Sequence, residues 1–264
     1  MTIPLLNYLR TVATRKWLRL GLLVTMMLCA TAALGTQSRG AFLAIFAMMT
    51  VLWFRSKGKF VSAIGIAIFA TILLGFMPET WWDRMNTIQN YEQDGSAMGR
   101  INAWIMAFNL ANDHVFGGGF LIYTPAIFAM YAPDPLDIHA AHSIYFQVLG
   151  EHGWIGLFLY LGVFISALAI AGNIRKESAK RAETQWLFHL AGMCQVSLVG
   201  FAVGGAFLSL AYFDLPYNIV VVLVVAQRWL RDKQWENETQ GAFGSLDPHS
   251  EIRKEVKKRI PRWS

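Results

Sequence analysis

Charged residues and cysteines are both scarce in this sequence. Asp, Glu, Lys and Arg together make up 15% of the 264 residues, whereas apolar residues make up 55% and fall in long runs. This composition is typical of an integral membrane protein and leaves no large soluble domain. The two cysteines, Cys29 and Cys194, lie inside apolar runs. Their positions exclude a disulfide framework and a Cys-x-x-Cys metal site, and indicate small buried side chains.

Motifs for nucleotide binding and serine hydrolysis are also missing. The sequence has no P-loop, no dinucleotide fingerprint and no nucleophile elbow. Gly117-Gly118-Gly119 is not followed by the Lys and Ser or Thr of a phosphate-binding loop, so we interpret it as a connecting loop. These chemistries therefore receive no support from sequence motifs.

Six apolar runs predict an all-α, polytopic membrane protein with about six transmembrane helices. The runs cover about residues 20–34, 41–54, 60–77, 142–171, 186–212 and 217–229. The second run has 14 residues, about 21 Å of helix, and approaches the roughly 30 Å hydrocarbon core only if it extends back to Gln37. The charged start and first run also resemble a signal peptide, but the later runs favour a membrane span.

The runs divide the chain into four parts. Residues 1–77 hold three N-terminal spans, 78–141 a long outer loop, 142–230 three C-terminal spans and 231–264 a basic tail. Within the loop, four apolar residues recur at helical spacing and predict an amphipathic helix against the membrane surface or the bundle: Ile101, Trp104, Ile105 and Phe108. The rest of the loop is predicted to be irregular, because it contains Pro125, Pro133 and Pro135.

Lysine and arginine fall almost entirely on one side of the predicted spans. Twenty of the 23 lie in residues 1–19, 55–59, 175–181 or from Arg228 onward. By the positive-inside rule this side is cytoplasmic, so both termini are cytoplasmic and the long loop is periplasmic in a bacterial inner membrane. The positive charges of the basic tail then help to set the orientation in the membrane and contact lipid headgroups. No nucleic-acid partner is predicted.

The three other basic residues, Arg39, Arg84 and Arg100, are all arginines on the predicted outer side. A guanidinium is a planar set of donors that suits phosphate. Arg39 lies at the membrane boundary, where ionisable residues are costly and often functional, although an interfacial arginine also contacts headgroups. Arg100 opens the amphipathic helix and Arg84 lies beside two tryptophans, so a solvated helix position and an aromatic belt stay open as alternatives.

His142 is the residue best suited to act as a base. It precedes an apolar helix beside the large outer loop, and a helix N-terminus favours the neutral, proton-accepting imidazole. A satisfied buried histidine is the alternative interpretation. His139, with Asp137, gives only a weak metal-site pattern, and no cysteine supports it. Glu151 follows about two to three helical turns later as a possible substrate contact.

These residues resemble motifs of a known superfamily. His142-Ser143, followed by nine residues, Gly153, two residues and Gly156, resembles the histidine motif of the O-antigen ligase and polymerase superfamily. Residues 39–43 and 96–104 resemble its two arginine motifs. Residues 85–89 and 131–153 look most like the O-glycosylation ligases associated with the exosortase A system. The resemblance covers most of residues 20–230.

The resemblance implies a helical fold of the lipid-carrier-dependent glycosyltransferase type. It implies a glycan donor linked to undecaprenyl diphosphate, an acceptor hydroxyl on protein, lipid or glycan, and no metal or other cofactor. Arg39 and Arg100 would bind the diphosphate and His142 would be the base, with Arg84, His139 and Glu151 as possible substrate contacts. Members of this superfamily are usually longer, so we expect the chain to be a C-terminal portion.

The predicted function is transfer of a lipid-carried oligosaccharide to an acceptor hydroxyl on the periplasmic face. Three alternatives stay open. A polymerase differs from a ligase only in its acceptor. A lipid-linked sugar transporter would need polar groups along a mid-membrane path, where this chain has few. A purely structural membrane protein is the last alternative.

Overall fold

In the computed structural model, the described residues are 1–36, 38–55, 58–60, 63, 64, 71, 95–234 and 236, and their regular structure is entirely helical. The helices with described bounds are α1 (Thr2–Val12), α2 (Lys16–Gly35), α3 (Arg39–Arg55), α4 (Gly95–Asp113), α5 (Pro125–Tyr131), α6 (Ile144–Ser178), α7 (Gln185–Gly205) and α8 (Asp214–Arg231). This architecture agrees with the prediction of a helical membrane protein.

Among the described residues, three helices are long and apolar enough to cross a membrane. They are Lys16–Ala33 within α2, all of α6, and α7. The 21 residues of α7 extend over about 32 Å, close to the thickness of the hydrocarbon core. Helix α3 is apolar but shorter, and α8 is not among the helices that are long and apolar enough to cross a membrane. The predicted third run, 60–77, lies mostly outside the described residues, so the prediction of six spans stays a prediction.

The N-terminal segment forms a helix that the sequence analysis did not predict. We treated residues 1–19 only as a charged flank, whereas residues 2–12 form α1, which packs against α2 and α7. The hydroxyl of Ser197, in the middle of α7, donates a hydrogen bond of 2.8 Å to the carbonyl of Met1. Arg19 Nε closes the turn between α1 and α2 by donating to the carbonyl of Ala13 at 2.6 Å.

Helix α7 lies against α3 through residues without bulky side chains. A Cβ atom at Gly200 would lie 2.6 Å from the Met48 sulfur, and one at Gly204 would lie 3.1 Å from Ala44 Cβ. Small residues let membrane helices approach closely and gain van der Waals contact. The glycines of α7 therefore allow close packing against α3.

Helix α6 is kinked near one end of the bundle. Gly153 has φ 65° and ψ −165°, and this residue divides α6 into Ile144–His152 and residues 154–178. The predicted single apolar run from 142 to 171 is thus two helical pieces at an angle. The second piece, of roughly 37 Å, is long enough by itself to cross a membrane.

The loop after α4 crosses this kink. The N–H groups of Gly118 and Gly119 donate to the carbonyls of Gly150 and Glu151, both at 2.9 Å. A side chain at Gly153 would overlap the carbonyl of Val115. The loop predicted at residues 117–119 is therefore present, and its glycines allow it to lie directly on the helix backbone.

One prediction about the outer segment stays a prediction and another needs correction. The apolar residues 101, 104, 105 and 108 were expected to lie against the membrane surface or the bundle, and the positions of α4 buried within the protein are Gly99, Asn102, Ala103, Met106, Ala107, Leu110 and Ala111. Small side chains on that face allow close contact with α6, whereas Ile105 and Phe108 are exposed. Pro125 was expected in irregular structure but starts α5, because its missing N–H is not needed in the first helical turn. Thr124 caps that helix by accepting from Ile127 N–H at 3.4 Å.

Candidate functional site

A buried asparagine on α4 determines the position of the loop that carries the histidines. Asn102 is 6% exposed. Its Nδ2 donates to the carbonyls of Asp134 and Asp137 at 2.8 and 2.9 Å, and its Oδ1 accepts from the N–H of Asp134 at 2.9 Å. These three bonds use both donors and the acceptor of one side chain. They fix the backbone two residues before His139.

A tryptophan two residues further along the same helix fixes the next part of the loop. Trp104 Nε1 donates to the carbonyl of Ala141 at 2.6 Å. The indole also stacks on Phe146, with ring centroids 4.9 Å apart and an interplanar angle of 7°. Trp104 thus contacts the chain on both sides of His142 and restricts its backbone.

His142 lies just before α6, in an unusual backbone conformation. Its φ of 45° is one of two positive values among the described non-glycine residues. Histidine is enriched in this left-handed region, which still costs about 1 kcal/mol or more and is often maintained at functional sites. The helix begins at Ile144 with Ser143 as N-cap. His142 therefore lies two residues before the first residue of the helix.

The surroundings of His142 favour a neutral imidazole. Desolvation lowers the pKa of His142 below 6.5, and the nearby charges of Arg100 and His139 lower it further. The neutral state predicted from the sequence agrees with this direction. The cause is different, because burial and neighbouring cations produce the shift and the helix dipole was the expected source.

Arg100 and His139 flank His142. The imidazole of His139 lies against Gly99, where a Cβ atom would be 2.7 Å from Nδ1. That nitrogen is 2.7 Å from Oδ1 of Asp137, which orients the ring. Arg100 is partly buried, and its Nε has no hydrogen-bond partner in the described part of the chain. Its guanidinium therefore has donor capacity left for an anion.

Two predicted site residues are less completely described. The backbone of Arg39 starts α3, but its side chain lies outside the described set, and Arg84 lies entirely outside it. The start of α3 is at the same end of the bundle as His142. A Cβ atom at Gly40 would be 2.9 Å from Phe207 Cβ, and one at Gly205 would be 2.6 Å from Ile144 Cδ1.

Glu151 belongs to a second, more deeply buried cluster. It is 4% exposed, and its carboxylate accepts hydrogen bonds from the Tyr212 hydroxyl and, at 3.5 Å, from Gln147 Nε2. The Tyr212 oxygen lies 2.8 Å from His152 Nε2. Burial, and then the bond to Glu151, raise the pKa of Tyr212. A substrate contact through an exposed Glu151 carboxylate does not fit this burial.

Unused hydrogen-bonding atoms lie between the two clusters. Gln147 Oε1 is buried and has no hydrogen-bond partner among the described residues, and the buried Tyr123 hydroxyl has none of good geometry there. Burial raises the pKa of Tyr123 to about 12; the neighbouring Ala141 N–H opposes the rise and the Glu151 carboxylate adds to it. Buried polar atoms without partners are rare in proteins and mark places where a ligand or water binds.

The two glycines of the histidine motif have structural roles. Gly153 permits the kink and the crossing loop. A side chain at Gly156 would overlap Cβ of His152, so Gly156 leaves space for that ring. The histidine motif therefore extends from His142, which precedes α6, to Gly153, where α6 bends, and on to Gly156.

Several residues at this end were not predicted from sequence. Asn102, Trp104, Tyr123 and Tyr212 were absent from the candidate set, and Tyr212 lies about sixty positions after Glu151 in the chain. Asn102 and Trp104 fall inside the stretch that resembles an arginine motif, which was the available signal for them. No group of three or more His, Cys, Asp or Glu side chains able to hold a metal occurs in the described ranges.

The fold and the site together define a class of protein. Apolar helices form a bundle, and a histidine, an arginine and a polar cluster lie at one end of it, which is the organisation of a helical membrane protein with a polar site. A family model described as O-antigen ligase (Wzy_C) matches residues 24–161, more than half of the chain, and the chain belongs to this family. Searches of curated proteins and of solved structures found no match.

The matched range includes every candidate site residue and most of the described outer segment. It ends within α6, so α7, α8 and Tyr212 lie beyond it. Membership in this family supports a membrane protein that acts as a glycan ligase or polymerase, with a lipid-linked glycan as its substrate class.

Proposed function

We propose that the protein transfers an oligosaccharide from undecaprenyl diphosphate to an acceptor hydroxyl on the periplasmic face of a bacterial inner membrane. The observation that carries this proposal is that Arg100, on α4, lies near His139 and His142, on the loop that Asn102 and Trp104 hold in place. Displacement of a diphosphate is served by a neutral base and by a guanidinium whose Nε has no partner among the described residues.

In the proposed reaction, His142 accepts the proton of the acceptor hydroxyl. The acceptor oxygen forms a bond to the anomeric carbon of the donor sugar while the bond from that carbon to the diphosphate oxygen breaks. The diphosphate leaves with the electron pair, and Arg100 and Arg39 stabilise its charge. The sequence resemblance supports the role of Arg39, and the structure describes only its backbone.

The secondary residues have narrower proposed roles. Asp137 Oδ1, which accepts from His139 Nδ1, keeps His139 oriented beside His142, where His139 contacts substrate. Glu151 orients Tyr212 from within the protein, because its carboxylate is buried. Arg84 stays a proposed substrate contact from the sequence alone. The narrower assignment to the exosortase-associated ligases also rests only on the resemblance.

The test is a glycan transfer assay in membranes with His142→Ala. Transfer should fall by at least about a hundredfold, the size of effect typical of a general base, while membrane insertion is unchanged. His114→Ala is a matched control, because His114 is exposed near the end of α4 and its nearest charged contact is Asp113 at 3.5 Å. Full transfer by the His142 variant would reject the assignment.

The same assay separates ligase from polymerase. Sugars attached to a protein or to a lipid other than the carrier indicate a ligase, and longer chains on the polyprenyl carrier indicate a polymerase. The assay is run on the 264-residue chain and on the chain with its adjoining upstream reading frame, because the resemblance implies further spans. Absence of transfer by both forms, when both are inserted correctly, would favour a transporter or a structural role.

A further inference from the structure

Two arginines converge on one amide side chain at the end of the bundle opposite His142. Arg55 ends α3 and Arg175 lies in the last turn of α6. Gln195 Oε1 accepts from Arg55 Nη2 at 2.6 Å and from Arg175 Nη1 at 3.4 Å. Because both nitrogens bond to the same oxygen, they lie no more than about 6 Å apart. Arg55 Nη1 also donates to the carbonyl of Gly192 at 2.9 Å.

This arrangement is fixed by its neutral neighbours. Gln195 is 9% exposed, and its Nε2 donates to the carbonyl of Leu168 at 3.1 Å, so its oxygen is directed at the arginines. Gly192 lies beside both guanidinium groups. A Cβ atom there would lie 3.6 Å from Arg175 Nε and 3.9 Å from Arg55 Nη1.

Neither arginine forms a salt bridge with a carboxylate in the described part of the chain. Arg175 Nε is buried without a hydrogen-bond partner there, and one face of its guanidinium covers the Phe188 ring at 4.7 Å. Each guanidinium has five N–H donors, and within the described ranges the hydrogen bonds use two donors of Arg55 and one of Arg175. Two like charges at this distance repel each other, and an anion that bonds to both would remove the repulsion.

The helix dipole explains only part of this geometry. A cation is favoured in the last turn of a helix, which accounts for a basic residue at the end of α3 and of α6 separately. It does not account for two guanidinium groups that share a neutral acceptor and leave donors unpaired. Arg228 provides the contrast at the end of α8, where its Nε lies 3.7 Å from Asp232.

We propose that Arg55 and Arg175 form a binding site for a phosphate group carried by an anionic phospholipid headgroup. Planar guanidinium groups bind phosphate oxygens in pairs. Arg55 and Arg175 themselves lie at or near the ends of two apolar helices, α3 and α6, which is the position of lipid headgroups along a membrane span, and Gln195 contacts them from the middle of α7. The shared chemistry is a phosphate oxyanion, and a soluble phosphate is the other possible source.

Binding is measured on the full chain in neutral detergent by native mass spectrometry and thermal denaturation. The probes are phosphatidylglycerol, phosphatidylcholine and inorganic phosphate, and the test variant is Arg55→Gln with Arg175→Gln. We expect phosphatidylglycerol binding about tenfold weaker in this variant, the effect of losing a charge-assisted bond. The matched control, Arg228→Gln with Arg231→Gln, removes two exposed charges at the same end and should bind like the unmodified protein.

The three probes distinguish a lipid headgroup from soluble phosphate as the ligand. Stabilisation by phosphatidylglycerol that requires both arginines supports the lipid site. Stabilisation by inorganic phosphate with the same requirement supports a site for soluble phosphate and overturns the lipid assignment. Equal phosphatidylglycerol binding by the test variant and the unmodified protein overturns the site itself. If the variant does not fold, lipid binding by the unmodified protein still tests the proposal. Equal retention of phosphatidylglycerol and phosphatidylcholine by that protein contradicts the proposal.

Discussion

Replacing Asn102 should disorder the histidine loop without disrupting the bundle. In Asn102→Ala, the carbonyls of Asp134 and Asp137 and the N–H of Asp134 lose all three partners that Asn102 provides. At about 1 kcal/mol for each bond, the ordered loop loses about 3 kcal/mol, which shifts its opening equilibrium roughly a hundredfold. The core of α6, α7 and α8 lies elsewhere and should keep its stability.

Hydrogen exchange and glycan transfer, measured on the Asn102→Ala variant, together test this prediction. Amide exchange in residues 132–143 should accelerate by up to about a hundredfold, and transfer should fall because His142 is held in its productive position less often. Asn109→Ala is the matched control: Asn109 is exposed on the same helix and makes one bond of 2.8 Å, to the carbonyl of Tyr131. The reasoning is refuted if both variants change loop exchange and transfer equally.

Three further predictions concern the kink, the base and the buried carboxylate. Gly153→Ala should destabilise the protein by about 3 kcal/mol or more in thermal denaturation, since its φ is positive and a side chain overlaps the Val115 carbonyl; Gly162→Ala, which has open space, should be neutral. The lowered pKa of His142 keeps the base neutral at pH 7, so transfer should fall only on acidification below about pH 6.5. Arg100→Gln should move that fall to higher pH by raising the pKa of His142, and an unmoved pH profile would contradict the electrostatic coupling. Tyr212→Phe should cost about 1–3 kcal/mol of stability by leaving Glu151 poorly paired, and an unchanged melting temperature would argue against that pairing.

The apolar runs were sufficient to predict the fold class, because a transmembrane helix must satisfy its backbone internally over a length set by the bilayer. The same local reasoning predicted a helix through residues 101–108, an apolar span within 186–212 and the loop at the three glycines. Helix α1 was missed because its basic residues looked like a flanking charge signal, whereas its stability comes from contact with α7. The apolar stripe on α4 did not predict which residues of that helix are buried within the protein, among them Gly99, Asn102 and Ala103.

His142 and Arg100 could be proposed from the sequence because their types and their place beside an outer loop restrict their chemistry. Only the tertiary structure showed that Asn102 and Trp104 position the histidine loop, since these bonds join residues more than thirty positions apart. The partnership of Glu151 with Tyr212, and of Arg55 with Arg175, likewise depends on which helix faces pack together. Hydrophobic periodicity and residue type are local properties of a chain, whereas the partner of a buried polar group is decided by packing between distant segments.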